Sequence, residues 1–168
     1  HRLTLLADLR RGLAAQDLEL RFQPMIDLRS GRVAKVEAML RWRRDDGTQL
    51  PLEFLELAEQ SGLIQPLTRW MLGEAARAAS ILRDAGHEVV VSTDLSMRNL
   101  IDPDLLAFVT LLVTSGELQT DLVEIEVGEI ELMDDPVRSR ETLAALADLG
   151  LRFALDDFGT GYTSLSTM

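Results

Sequence analysis

The chain contains no cysteine, only two histidines and a single lysine, Lys35, although it carries 17 basic residues in all. Without cysteine there are no disulfides, thiolate nucleophiles or Cys-ligated zinc or iron–sulfur centres. Aromatic residues make up only 5% of the sequence. Positive charge is also in deficit, since 28 acidic residues give a formal net charge of −11, which argues against DNA binding and anionic membrane surfaces. The longest apolar stretch, Leu105 to Val113, falls well short of the ~20 residues needed to span a bilayer. The amino terminus is broken by charges every few residues, unlike a signal peptide, and the expected setting is cytoplasmic. A hydrophobic fraction of 46% over 168 residues is enough to build a substantial core.

Apolar spacing alternates between helical and strand periods. Leu6, Leu9 and Leu13 predict a helix ending near Gly12 to Ala15. Strict alternation from Leu18 to Gln23 predicts a strand with one wet face, while the more continuous Val33 to Leu40 predicts one buried on both sides. Prolines 51 and 66 open two helices that stop at Gly62 and Gly86. Val89 to Val91, Leu122 to Val127 and Arg152 to Leu155 read as strands. Between them, Asp102-Pro103 and Asp135-Pro136 supply helix starts, and Gly150 supplies a helix end. Strand–helix alternation with hydrophobic strands predicts an α/β fold with a parallel sheet, either an open doubly wound sheet or a (β/α) barrel.

Five acids fall near strand carboxyl ends: Glu37, Asp94, Glu126, Asp156 and Asp157. That edge is where parallel α/β architectures place active sites. A lone acid there is often a helix cap, but five converging without a local lysine would repel one another unless a hard cation intervened. Carboxylate oxygens suit Mg²⁺, Mn²⁺ or Ca²⁺. Glu124 shares a face with Glu126 about two residues deeper and reads as a supporting or salt-bridged acid. Asp156-Asp157 precedes a Gly-Thr-Gly loop, where backbone can approach a ligand closely. No histidine accompanies the serines in a triad pattern. Asp157-Phe158-Gly159 lacks the other kinase signatures.

Together, Gln23-Pro24, Glu37-Ala38-Met39-Leu40-Arg41-Trp42, Phe54 to Ala58-Glu59 with Gly62-Leu63-Ile64, Asp94-Leu95-Ser96, Glu126-Val127-Gly128-Glu129 and Asp156 through Leu165 resemble the EAL domain in order and spacing along essentially the whole chain. The resemblance implies a (β/α)₈ TIM-barrel variant with an antiparallel first strand. It also implies a metal-dependent phosphodiesterase that hydrolyses cyclic di-GMP to linear pGpG in bacterial second-messenger signalling. On this basis Glu37, Asp94, Glu126, Asp156 and Asp157 are metal ligands in a two-metal Mg²⁺ or Mn²⁺ site. Gln23, Met39 and Arg41 contact substrate, with Arg41 on a phosphate, and Glu129 steadies the loop containing Phe158, Gly159, Thr160 and Gly161. The family further implies a homodimer formed through the barrel, with GGDEF or sensory domains and in some members a membrane tether.

Met39 replaces the family's leucine, Asp94 an asparagine and Gly128 a threonine. The Met39 swap conserves volume, whereas Asp94 and Gly128 keep open a receptor that binds cyclic di-GMP without cleaving it, or an interaction module. The family's later lysine and general base have no counterpart before Met168, and Lys35 does not occupy that lysine's position. The expectation is therefore a single partial EAL domain over 1–168, about five of eight strands, without catalysis of its own.

Overall fold

In the computed structural model, which describes residues 2–15, 17–44, 47–49, 51–128 and 136–156, the amino-terminal segment folds as a helix, α1 (Arg2–Ala15). Leu9 is its fully buried anchor, and Gly12 lies within it. Strand β1 (Leu18–Ile26) pairs antiparallel with β2 (Val33–Arg44), in a register running from Leu18↔Trp42 to Ile26↔Val33. The connecting turn is set by Asp27, whose carboxylate accepts the backbone amides of Ser30 at 2.7 Å and Arg29 at 3.2 Å. These bonds, the Ser30 amide foremost, hold the Asp27 carboxyl below the usual range, and Gly31 supplies the turn's positive φ of 67°.

A three-residue strand, β3 (Gly47–Gln49), folds back on the end of β2. It is too short to show any period in the sequence. Helix α2 (Pro51–Ser61) ends where Gly62 turns at φ 74°. Helix α3 (Ile64–Asp84) begins two residues before the predicted Pro66, because the first turn of a helix has no internal partner for its amides and proline costs no bond there. Strands β4 (Val90–Asp94), β5 (Val123–Gly128) and β6 (Arg152–Asp156) then add in parallel, giving a sheet ordered β1-β2-β4-β5-β6. The antiparallel first strand and the five-strand path agree with expectation, and among the described residues the sheet is not closed on itself.

The β4–β5 connection departs from the sequence reading. A short helix, α4 (Met97–Leu100), precedes Asp102-Pro103, and helix α5 (Leu105–Thr114) starts two residues beyond that pair. Asp102 makes a turn before the helix: its carboxylate accepts the Asp104 amide at 3.0 Å and its carbonyl the Leu105 amide at 3.2 Å. The same carboxylate takes Arg69 from α3 at 3.1 Å. Helix α6 (Pro136–Asp148) does begin at its proline; Asp135 lies outside the described residues. It ends as predicted at Gly150, φ 96°, where the Leu151 amide reaches back to the Leu146 carbonyl. No helix among the described residues is long and apolar enough to cross a membrane.

One sheet face carries Ala38, Val91, Val123, Ile125 and Val127 and packs under α3, α5 and α6. Alanines 75, 76 and 79 of α3 let that helix approach closely. A second cluster gathers Leu9, Leu40, Trp42, Phe54 and Leu67, with the Trp42 and Phe54 rings edge to face at 5.5 Å. Each fully buried aliphatic side chain here contributes roughly 1.5–3 kcal/mol of transfer free energy. β2 is not buried on both sides as predicted. Ala38, Leu40 and Trp42 enter the core, whereas the alternate residues Lys35, Glu37, Met39 and Arg41 share the other, half-buried face, and Val33 is exposed. The continuous apolar run concealed a strand with one core face and one functional face.

Candidate functional site

Alternation along parallel strands places Lys35, Glu37, Met39 and Arg41 of β2, Ser92 and Asp94 of β4, and Glu124 and Glu126 of β5 on the sheet face away from the helices. The registers Glu37↔Ser92↔Glu124 and Asp94↔Glu126 bring the acids level. Carboxylate oxygens of Glu37, Asp94 and Glu126 lie within 4.8 Å of one another, Glu126 buried, Glu37 half-buried and Asp94 exposed at the rim. Three of the five predicted acids thus converge. Asp156 closes β6 in register with Gly128, at the same carboxyl edge. Asp157, Glu129, Phe158, Gly159, Thr160 and Gly161 lie outside the described residues.

The expectation of an acidic cluster with no lysine nearby is overturned. Lys35 Nζ stands 2.5 Å from Glu126 Oε1 and 2.9 Å from Glu124 Oε1. Glu124 is accordingly a salt-bridged acid, as its depth suggested. Burial acts to lower the Lys35 pKa, but its hydrogen bonds to Glu126 and Glu124, with their charges, outweigh that and hold it above the ordinary lysine value. Linear spacing gave no warning, because Lys35 and Glu126 are brought together only by the β2–β4–β5 order.

Gln23 lies directly across the β1–β2 ladder from Glu37 and is exposed. Met39 and Arg41 follow Glu37 on the same face, both half-buried, and Arg41 Nη1 donates to the Leu40 carbonyl at 2.8 Å. The loop after Asp94 is fixed by two devices that sequence reading missed. The Leu95 amide donates to the Glu126 carbonyl at 2.9 Å, extending the β4–β5 ladder past the acids. Asn99, 1% exposed, accepts at Oδ1 from the Ser96 amide, the Ser96 hydroxyl and the Thr68 hydroxyl of α3. A serine followed three residues later by asparagine was the available signal.

Three carboxylates with converging oxygens form a donor set for a hard divalent cation. An independent observation agrees: the Ser92 hydroxyl, on the same face at the level of Glu37 and Glu124, is fully buried and has no hydrogen-bond partner among the described residues. An orphaned buried oxygen beside carboxylates fits a site built to complete its bonds with a cation or its water.

The EAL domain family model matches residues 6–168. The cyclic di-GMP phosphodiesterase PdeR of Escherichia coli is 33% identical over 162 residues, 96% of this chain and 24% of that protein. The cyclic di-GMP phosphodiesterase NbdA of Pseudomonas aeruginosa is 37% identical over 161 residues, 95% of this chain and 21% of that protein. The chain therefore spans about a quarter or less of these relatives. Among solved structures, the PaMucR phosphodiesterase in complex with cyclic di-GMP superposes with a TM-score of 0.90 at 35% identity, covering 97% of this chain and 67% of that one. The antiparallel first strand, the acids at the carboxyl edge of the sheet and a family match over nearly every residue lead to one conclusion: this chain belongs to the EAL domain family.

Proposed function

We propose that this chain supplies the cation-binding carboxylates and part of the substrate floor of a cyclic di-GMP phosphodiesterase. The observation that carries the reading is the convergence of Glu37, Asp94 and Glu126 within 4.8 Å at the sheet's carboxyl edge. Glu37, Asp94 and Glu126, joined by Asp156 and Asp157, would hold Mg²⁺ or Mn²⁺. Such ions lower the pKa of a bound water and neutralise charge on a phosphodiester. Arg41, on the same strand and face as Glu37, orients the scissile phosphate with a charge-assisted hydrogen bond. Gln23 and Met39 flank Glu37 across and along the ladder and contact the nucleotide. By resemblance to the family, Glu129 would steady the loop that contains Phe158, Gly159, Thr160 and Gly161. Residues 1–168 would form a single partial EAL domain in a cytoplasmic setting, with homodimerisation through the barrel and GGDEF or sensory domains as its partners.

A second reading, a receptor that binds the nucleotide without cleaving it, is favoured by the contact of Lys35 with Glu126, which gives the acids an internal counterion. The test uses the full-length natural protein with cyclic di-GMP and Mg²⁺ or Mn²⁺, separating cyclic from linear product. Metal-dependent appearance of pGpG is the expected result; binding without turnover establishes the receptor reading, and neither binding nor turnover overturns both.

A further inference from the structure

We infer that Lys35 is a built-in competitor for the cation site: its ammonium neutralises Glu126 in the cation-free state and sets how much divalent cation is needed to load the carboxylates. This rests on the proposed role of Glu37, Asp94 and Glu126 in holding that cation. Lys35 is the chain's single lysine, and it is placed two residues before Glu37 on the same strand face. Its Nζ touches Glu126, the most buried acid of the cluster, at 2.5 Å and Glu124 at 2.9 Å. Exposure of the three side chains is 20% for Lys35, 19% for Glu124 and 7% for Glu126, so water screens this contact far less than a surface pair.

The arrangement provides two partners for one ammonium. Glu126 belongs to the converging trio, whereas Glu124 lies two residues deeper and outside it. When Glu126 is claimed by a cation, Lys35 retains Glu124, so loading the site does not strand a buried positive charge. The energetic consequence is a penalty on cation binding and no loss of fold. A unit charge about 5 Å from a divalent ion, even with water-like screening, opposes binding by about tenfold. Lys35 is thus a positioning residue: it acts through Glu126, and nothing in its placement requires contact with substrate.

Isothermal titration of Mn²⁺ into the nucleotide-free full-length protein tests this. K35M and K35Q, two neutral side chains of similar length, should each tighten Mn²⁺ binding about tenfold, while K35R, which keeps the charge, should retain the wild-type affinity. Two neutral variants guard against one failing to fold, and circular dichroism checks each. If wild type binds Mn²⁺ and both neutral variants bind it equally or more weakly, the competitor role is overturned and the cation site stands. If neither wild type nor the variants bind Mn²⁺, the cation site and the competitor role fall together.

Discussion

Replacing Gly12 by alanine sets two effects of similar size against each other, and the structure decides the sign. Gly12 lies inside α1, where alanine is favoured over glycine by about 1 kcal/mol. A Cβ at this position, however, would sit 2.8 Å from Trp42 Nε1, closer than real contacts allow. The indole cannot retreat cheaply, since Trp42 is 2% exposed and its ring is wedged edge to face against Phe54, itself fully buried. Overpacking of this kind costs about 1–3 kcal/mol, so G12A should destabilise the protein by about 1 kcal/mol net. The matched control is Gly73 in α3, where an added Cβ meets nothing within 4 Å; G73A should stabilise by about 0.5–1 kcal/mol. Urea denaturation compares the midpoints. In a W42F background, which removes the crowded edge of the indole, the G12A penalty should shrink. A G12A midpoint at or above wild type would refute the reasoning.

Other outcomes follow from the site and its supports. If the full-length protein is the proposed phosphodiesterase, Asp94→Asn, which removes a charge while keeping an oxygen ligand, should preserve or raise its turnover; a large loss would mean that Asp94 has taken another role. Arg41→Ala should weaken cyclic di-GMP binding by about 1.5–3 kcal/mol, read by calorimetry, with Mn²⁺ affinity unchanged. Phe54→Ala should cost about 3–5 kcal/mol of stability by denaturant titration, because the residue is fully buried and its loss leaves a cavity beside Trp42. For Asp27, a folded pKa below the usual value means its stabilisation of the β1–β2 turn is present above the unfolded pKa and lost as pH falls through the folded one. A carboxyl NMR titration should place its midpoint below that of an exposed aspartate, and Asp27→Asn should remove that acid dependence of the turn.

Much of this architecture was legible in the sequence because its signals are local. The stops at Gly62, Gly86 and Gly150 all coincide with positive φ, and the spacing of strand starts after residue 89 reflects one strand–helix unit. Position near strand carboxyl ends also singled out Glu37 and Glu126, which the strand registers bring close to each other. Long-range pairing was not legible. The contact of Lys35 with Glu124 and Glu126 depends on strand order, and the apolar run Val33 to Leu40 gave no hint that only half of it faces the core. The start of α5 was misplaced for a different reason: Asp102 has all the traits of a helix cap, but the structure uses its carboxylate for a turn and for Arg69.

The most direct test of the central claim is anomalous scattering from crystals of the full-length protein grown with Mn²⁺. The account predicts a manganese peak bonded at about 2.1 Å to carboxylate oxygens of Glu37, Asp94 and Glu126, with Lys35 Nζ turned to Glu124. A peak elsewhere, or none at this cluster while Lys35 remains on Glu126 at saturating Mn²⁺, would contradict it.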